Sequence, residues 1–326
     1  MIEKLRILLI AVCCLILTFA AQPKSFAQGD KTYTIGLSVW TGYPANIKGF
    51  KEAMAIGGFI EGKNVHYLYG KSGASKEKQR QIAESFKAAG VDLVYTLTTP
   101  GTSIIKEVLP EQTPIVFSIV TYPADSGLIE SFDYSGNNLV GTSNYVSIGQ
   151  YVKLLKTILP DAKSVAVFHR KGEPNSKIQA TSIIRLMKKA NIQVIDREPS
   201  SVEEVRQMAL ALAGEASVFM TTTDTLLQGG GEDALIEVSL DRKIPILSSN
   251  KAGIMSGSTF GPVVDFYELG KLSGEMAVKI LRDGVSPEDL ESKLQDPPLI
   301  LINRASVERL GINIPEEKLK SFRYAE

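Results

Sequence analysis

Asp92-Leu93-Val94-Tyr95-Thr96-Leu97-Thr98-Thr99 runs into a helical stretch and then into Thr113-Pro114-Ile115-Val116-Phe117-Ser118. Further on, Ser217-Val218-Phe219-Met220-Thr221-Thr222-Thr223-Asp224 runs into another helical stretch and then into Ile244-Pro245-Ile246-Leu247-Ser248-Ser249. The order is the same both times: an apolar strand, a hydroxyl cluster, a helix, and a strand led by proline. One such unit suits any fold that alternates strand and helix. Two in the same order point to two similar lobes.

The flanking sequence extends the pattern. Short β-branched runs predict strands over Thr34–Val39, Val65–Tyr69, Leu93–Leu97, Ile115–Val120 and Leu139–Gly141. A second series covers Ser164–Phe168, Gln193–Asp196, Ser217–Thr221 and Ile246–Ser248. Helical spacing predicts Ile47–Ile56, Lys76–Ala89, Thr102–Leu109, Ile148–Leu159, Lys177–Ala190, Val202–Ala213 and Glu232–Asp241. Several strands are almost wholly apolar, as expected when helices cover both faces of a sheet. The fold class is therefore α/β with parallel sheets, and the repeated unit favours two Rossmann-like lobes over a single series of α/β units that merely look alike.

Open parallel sheets bind ligands beyond the carboxyl ends of their strands. The residues there are Trp40 and Tyr43, Thr99 and Thr102, Ser118 and Thr121, Asp224, and Asn250. Free N–H groups at the following helix starts can hold an anion, and neighbouring hydroxyls add neutral hydrogen bonds. Asp224 can hold an ammonium group, and Trp40 and Tyr43 can stack on an apolar body. Together these groups suit a small zwitterion such as an amino acid. Ser, Thr and Asp also favour helix N-caps, which is the competing role for each of them.

The amino terminus reads as an address. Lys4 and Arg6 precede an apolar run from Ile7 to Ala21, and Ser25-Phe26-Ala27 suits cleavage before Gln28. Residues 1–27 are thus expected to be a signal peptide for export to the periplasm or beyond. Cleavage there removes Cys13 and Cys14, the only cysteines, and with them thiol catalysis and disulfides. The 36 basic and 36 acidic side chains cancel, which argues against a nucleic-acid partner.

A set of ordered motifs carries a resemblance over nearly all of the expected mature chain. Gly49 to Met54 and Gly58 to Val65 come first, then Thr99-Pro100, Pro114 to Ser118, and Val120 to Pro123 with Gly127-Leu128. Leu159-Pro160, Thr223-Asp224, Ile244-Pro245, Asp265 to Gly270, Gly274 to Ala277 and Ile302-Asn303 follow. The set resembles a family of ABC-transporter substrate-binding proteins that includes tryptophan- and phenylalanine-binding members. The resemblance implies a type I periplasmic-binding fold with three crossovers and a ligand cleft between the lobes. One lobe would hold 28–143 and 262–297, the other 147–259 and 298–326. It also implies ligand contacts at Thr99, Ser118, Thr121 and Asp224, with Asn250 in another cleft loop. Two positions depart from the family pattern: Thr225 after Thr-Asp, and Tyr122 before Pro123.

The expected function is capture of a small solute by closure of two lobes, with delivery to a membrane permease. The alternative is a periplasmic sensor that signals to a membrane receptor. No cofactor, metal or catalysis is expected, and a monomer suffices. His66 lies in an alternating strand and reads as structural. His169 ends a strand but has no nucleophile elbow to serve. Gly229-Gly230-Gly231 lacks the Lys-Ser/Thr of a phosphate loop and reads as a turn. Lys76–Arg80 and Glu316–Lys320 alternate in sign and read as solvated helix faces.

Overall fold

The first sheet starts with β1 (Tyr33–Val39), α1 (Pro44–Ile56), β2 (Val65–Lys71), α2 (Lys76–Ala89) and β3 (Leu93–Leu97). It continues through α3 (Thr99–Val108), β4 (Ile115–Ser118) and β5 (Leu139–Ser143). These elements belong to a computed structural model that describes residues 31–314, 316–320 and 322–325. The proposed signal peptide and both cysteines lie outside the described residues.

A second series follows: α4 (Ile148–Ile158), β6 (Ser164–Phe168), α5 (Pro174–Lys189), β7 (Gln193–Arg197), α6 (Val202–Ala211) and β8 (Val218–Thr221). Then come α7 (Glu232–Arg242), β9 (Ile246–Leu247), α8 (Lys251–Ser256) and β10 (Phe260–Val263). The chain then forms α9 (Phe266–Asp283), β11 (Lys293–Leu294), β12 (Leu299–Ile302), α10 (Arg304–Leu310) and β13 (Arg323–Tyr324).

The first sheet has the order β11-β5-β4-β3-β1-β2, and the second β13-β12-β10-β9-β8-β6-β7. Apart from the late strands at one edge, each is the doubly wound 2-1-3-4-5 order. The repeated sequence unit therefore occupies equivalent places, with β3 matching β8 and β4 matching β9. All pairings are parallel except β10 with β12. The switch point, where the strand order reverses, falls between β1 and β3 in one lobe and between β6 and β8 in the other. Ligands of such sheets bind outside the carboxyl ends at this point.

Apolar clusters cover both faces of each sheet. Val116, Tyr95 and Leu37 pack toward α1 and α9 in the first lobe, while Phe117, Val94 and Ile105 pack on the opposite face. Val165, Met220 and Phe260 pack toward α4 and α5 in the second, opposed by Phe168, Phe219 and Leu235. The α1–α9 contact is unusually close. A Cβ at Gly49 would lie 2.1 Å from the Tyr267 carbonyl, and one at Gly270 would lie 2.0 Å from the Asn46 carbonyl. Glycine at both positions lets the backbones touch. The chain stays in the second sheet through Val263, slightly past the crossover expected at 262.

Candidate functional site

On the first lobe, β1 leads into Trp40 and β3 into Thr98, on either side of the switch point. Thr98 has φ 71° and ψ 157°, a region that costs a non-glycine residue about 1–3 kcal/mol. Ile119, after β4, also has positive φ, at 56°. Such strain persists only where surrounding structure enforces it, and it gathers at ligand clamps. Here it turns the chain directly into α3. The first turn of α3 presents Thr98, Thr99 and Thr102, whose hydroxyls are buried without a hydrogen-bond partner among the described residues. Trp40 Nε1 and Asn144 Oδ1, at the ends of β1 and β5, are in the same condition. Free helix N–H groups and hydroxyls in one place suit a carboxylate.

On the second lobe, Asp224 links the two strand ends at the switch point. Its Oδ2 accepts from the Arg170 N–H at 3.0 Å and the Thr222 hydroxyl at 2.7 Å. Its Oδ1 accepts from the N–H groups of Leu226 and Leu227 at 2.9 and 2.8 Å. Nearby, Glu173 accepts from the Thr225 hydroxyl at 2.6 Å and lies 3.6 Å from the Arg170 guanidinium. Burial, and then the neighbouring Asp224, pushes the Glu173 carboxyl up to about 7. Burial raises Asp224 as well, but its four donors favour the ionised form, so a proton shared by this pair sits on Glu173.

Gln179 and Asn175 of α5 complete this face. Gln179 Oε1 accepts from the Thr223 N–H and hydroxyl, both at 2.8 Å. Asn175 Nδ2 donates to the Thr223 carbonyl at 2.7 Å, leaving its Oδ1 buried and unpartnered. Tyr151 Oη and Tyr122 Oη are also buried without partners among the described residues. Tyr122 meets Tyr145 edge to face, with ring centroids 5.5 Å apart.

The lobes touch. The Thr121 and Thr223 hydroxyls are 3.0 Å apart, and the Tyr43 hydroxyl donates to Gln228 Oε1 at 2.7 Å. The eight residues expected at the site therefore divide. Thr99, Thr102 and Trp40 keep free polar atoms at the cleft, and Thr121 and Tyr43 bridge it. Ser118 is consumed by a buried network, accepting from Asn46 at 2.9 Å and meeting Thr142 at 2.8 Å. Asn250 caps α8 through the Ala252 N–H and donates to Glu232 at 3.3 Å. Asp224 has all four of its acceptor positions filled by the protein. All three serve the scaffold in this arrangement, and of them Asp224 alone has its acceptors filled; the second Nδ2–H of Asn250 is not used by these bonds. Sequence reasoning passed over Asn144, Asn175, Gln179, Gln228, Tyr151 and Glu173. Asn175 and Glu173 carried a signal, since they open a helix just beyond a strand end.

His66 is exposed on β2, and His169 Nε2 pairs with Asp196 Oδ1 at 2.8 Å. Among the described residues no cluster of His, Cys, Asp and Glu could hold a metal, and no helix is long and apolar enough to cross a membrane. A surface hollow bounded by Lys106, Glu111, Asn138 and Pro287 lies at the amino ends of β4 and β5, away from the switch points.

The profile of the family described as "ABC transporter substrate binding protein" matches residues 41–323. The chain belongs to that family. A tyrosine-binding protein of Clostridioides difficile (strain R20291) is 31% identical over 296 residues, covering 90% of this chain and 85% of its relative. Among solved structures, an ABC domain in complex with L-Trp from Streptococcus pneumonia is similar, with TM-score 0.85 and 24% identity over 90% of this chain and 99% of that one. A ligand-free, open substrate-binding protein with adhesive properties from Clostridium difficile gives TM-score 0.70 and 26% identity, over 90% and 99%.

Proposed function

We propose that this protein captures an amino acid outside the cytoplasm, closes its two lobes around it, and delivers it to the membrane permease of an ABC transporter. The observation that carries this reading is the chemistry of the cleft. Buried donors without protein acceptors (Trp40 Nε1, Gln228 Nε2), buried acceptors without protein donors (Asn144 Oδ1, Asn175 Oδ1) and the unpartnered hydroxyls of Thr98, Thr99 and Thr102, among the described residues, all follow the carboxyl ends of strands. A ligand carrying both a carboxylate and an ammonium group answers both sets. The carboxylate fits the first turn of α3, where the helix dipole favours negative charge. The ammonium fits the amide carbonyls of Asn144 and Asn175. Trp40, Tyr43, Tyr122 and Tyr151 offer aromatic walls for a side chain.

The relatives support an aromatic amino acid, since one is a tyrosine-binding protein and another was solved with L-Trp. The likeness is greater to the L-Trp complex than to the open, ligand-free protein, which supports a closed arrangement of the lobes. Residues 1–27 serve as the export signal in this reading. Closure then both buries the ligand and builds the surface offered to the permease.

Isothermal titration of the chain from Gln28 onward against the common amino acids tests the proposal. L-tyrosine or L-tryptophan should bind saturably, and at about 100 times its Kd should add roughly 2.7 kcal/mol of stability. Failure of all of them to bind would refute the amino-acid reading.

A further inference from the structure

Between β8 and α7 the chain kinks through a turn at Leu227–Gly231, where Gly229 and Gly230 leave helical geometry, with Gly230 at φ 113°. Gln228 sits on this turn. Its Oε1 accepts from the Tyr43 hydroxyl of the opposite lobe at 2.7 Å. Its Nε2 is buried and has no acceptor among the described residues. Burial holds the Tyr43 hydroxyl protonated, so it keeps a proton to donate to Oε1, and with that bond made Nε2 is turned away from Tyr43.

We infer that Gln228 is a specificity-determining latch: Tyr43 fixes its carbonyl across the closed cleft, and its Nε2 donates to an acceptor oxygen of the ligand. The inference rests on the amino-acid reading above and adds a residue to it. One side chain then senses closure and occupancy together. In the open form Gln228 loses Tyr43, and with it the orientation that aims Nε2. The acceptor is either the ligand carboxylate or a side-chain oxygen such as a phenol.

The test is titration of wild type, Gln228→Ala, Gln228→Glu, Tyr43→Phe and the double variant Tyr43→Phe/Gln228→Ala, with L-tyrosine, L-tyrosinamide and L-phenylalanine as probes. Gln228→Ala should weaken L-tyrosine roughly tenfold, the scale of one buried hydrogen bond. Gln228→Glu keeps an acceptor for Tyr43 but cannot donate, and should weaken it at least as much. The double variant should lose less than the product of the single losses. If the loss vanishes for L-tyrosinamide the carboxylate is the acceptor, and if it vanishes for L-phenylalanine the phenol is. Unchanged affinity of both Gln228 variants for L-tyrosine, in a wild type that binds it, would overturn the inference. If wild type binds none of the probes, the amino-acid reading fails on its own. The latch is then read in the unliganded protein from paramagnetic relaxation, which detects a minor closed state, between a nitroxide at Lys78→Cys and the Lys177 amide, at the cleft-side starts of α2 and α5. Loss of that relaxation in both Tyr43→Phe and Gln228→Ala supports the latch, and unchanged relaxation overturns it.

Discussion

Replacing Asp224 by alanine should destabilise the second lobe rather than remove a ligand contact. The carboxylate is 1% exposed and accepts from three backbone N–H groups, those of Arg170, Leu226 and Leu227, and from the Thr222 hydroxyl. Thr222 can fall back on the Phe168 carbonyl at 3.3 Å, but the three N–H groups have nowhere to turn. Each buried donor left unmade costs about 1–3 kcal/mol. Relief from burying a charge offsets part of this, leaving a net loss of about 3–5 kcal/mol. That is a large share of the roughly 5–15 kcal/mol that stabilises a folded domain. Asp224→Asn keeps Oδ1 for Leu226 and Leu227 but turns an N–H donor onto the Arg170 N–H, so it should lose about 1–3 kcal/mol. Urea unfolding followed by circular dichroism gives both values, and titration in the native baseline gives ligand affinity. An alanine variant within about 1 kcal/mol of wild type, yet unable to bind amino acids, would refute the scaffold role and return Asp224 to the ligand.

Thr102→Val, which removes an unpartnered buried hydroxyl at nearly constant volume, should leave the unfolding midpoint unchanged or higher and weaken amino-acid binding roughly tenfold, as read by calorimetry. Gly270→Ala places a methyl group 2.0 Å from the Asn46 carbonyl and should cost about 3 kcal/mol or more by forcing α1 and α9 apart, seen as a lowered Tm. Burial pushes the Glu232 carboxyl up from 4.5 to about 7, so between those values the native state holds a proton that the unfolded chain releases. That stabilisation is full below about pH 4.5 and is lost as pH rises through about 7. The Tm of the unliganded protein should therefore fall across that window and fall less in Glu232→Gln; a wild-type Tm that climbs there would refute the assignment.

The nine strands read from sequence are all present, because buried parallel strands need unbroken apolar, β-branched runs that little else in the chain imitates. The strands that were missed lack that signature. β10 carries Gly261 and Pro262, and proline inside a run argues against a strand; its pairing with β12 is set only when the chain returns 36 residues later, at Leu299. The longest helix among the described residues, Phe266–Asp283, was legible in principle. Asp265 caps it through the Tyr267 N–H and Gly284 ends it in the left-handed region. Candidate ligand groups at Thr99 and Thr102 followed from the strand-end rule. Asn144, Asn175 and Gln228 did not, because an amide side chain carries no local signal of whether both its ends will find partners. That depends on which residues the opposite lobe brings up.

The same unpartnered atoms explain how a ligand could control closure. A closed cleft that buries Trp40 Nε1, Gln228 Nε2, Asn144 Oδ1 and Asn175 Oδ1 without protein partners carries a penalty of about 1–3 kcal/mol for each one kept from water. The Thr121–Thr223 and Tyr43–Gln228 contacts return only about 0.5–1.5 kcal/mol apiece. On those terms the empty protein favours the open form. Moving a two-state equilibrium from 1:99 to 99:1 needs a difference of about 5.5 kcal/mol in ligand affinity for the two states. Supplying partners to four orphaned groups reaches that figure without any ionic contact to Asp224. The selectivity of such a site lies in matching donors and acceptors from both lobes at once. An amine without a carboxylate, or a carboxylate without an amine, would answer either the acceptor pair or the donor pair and leave the other pair's penalty standing.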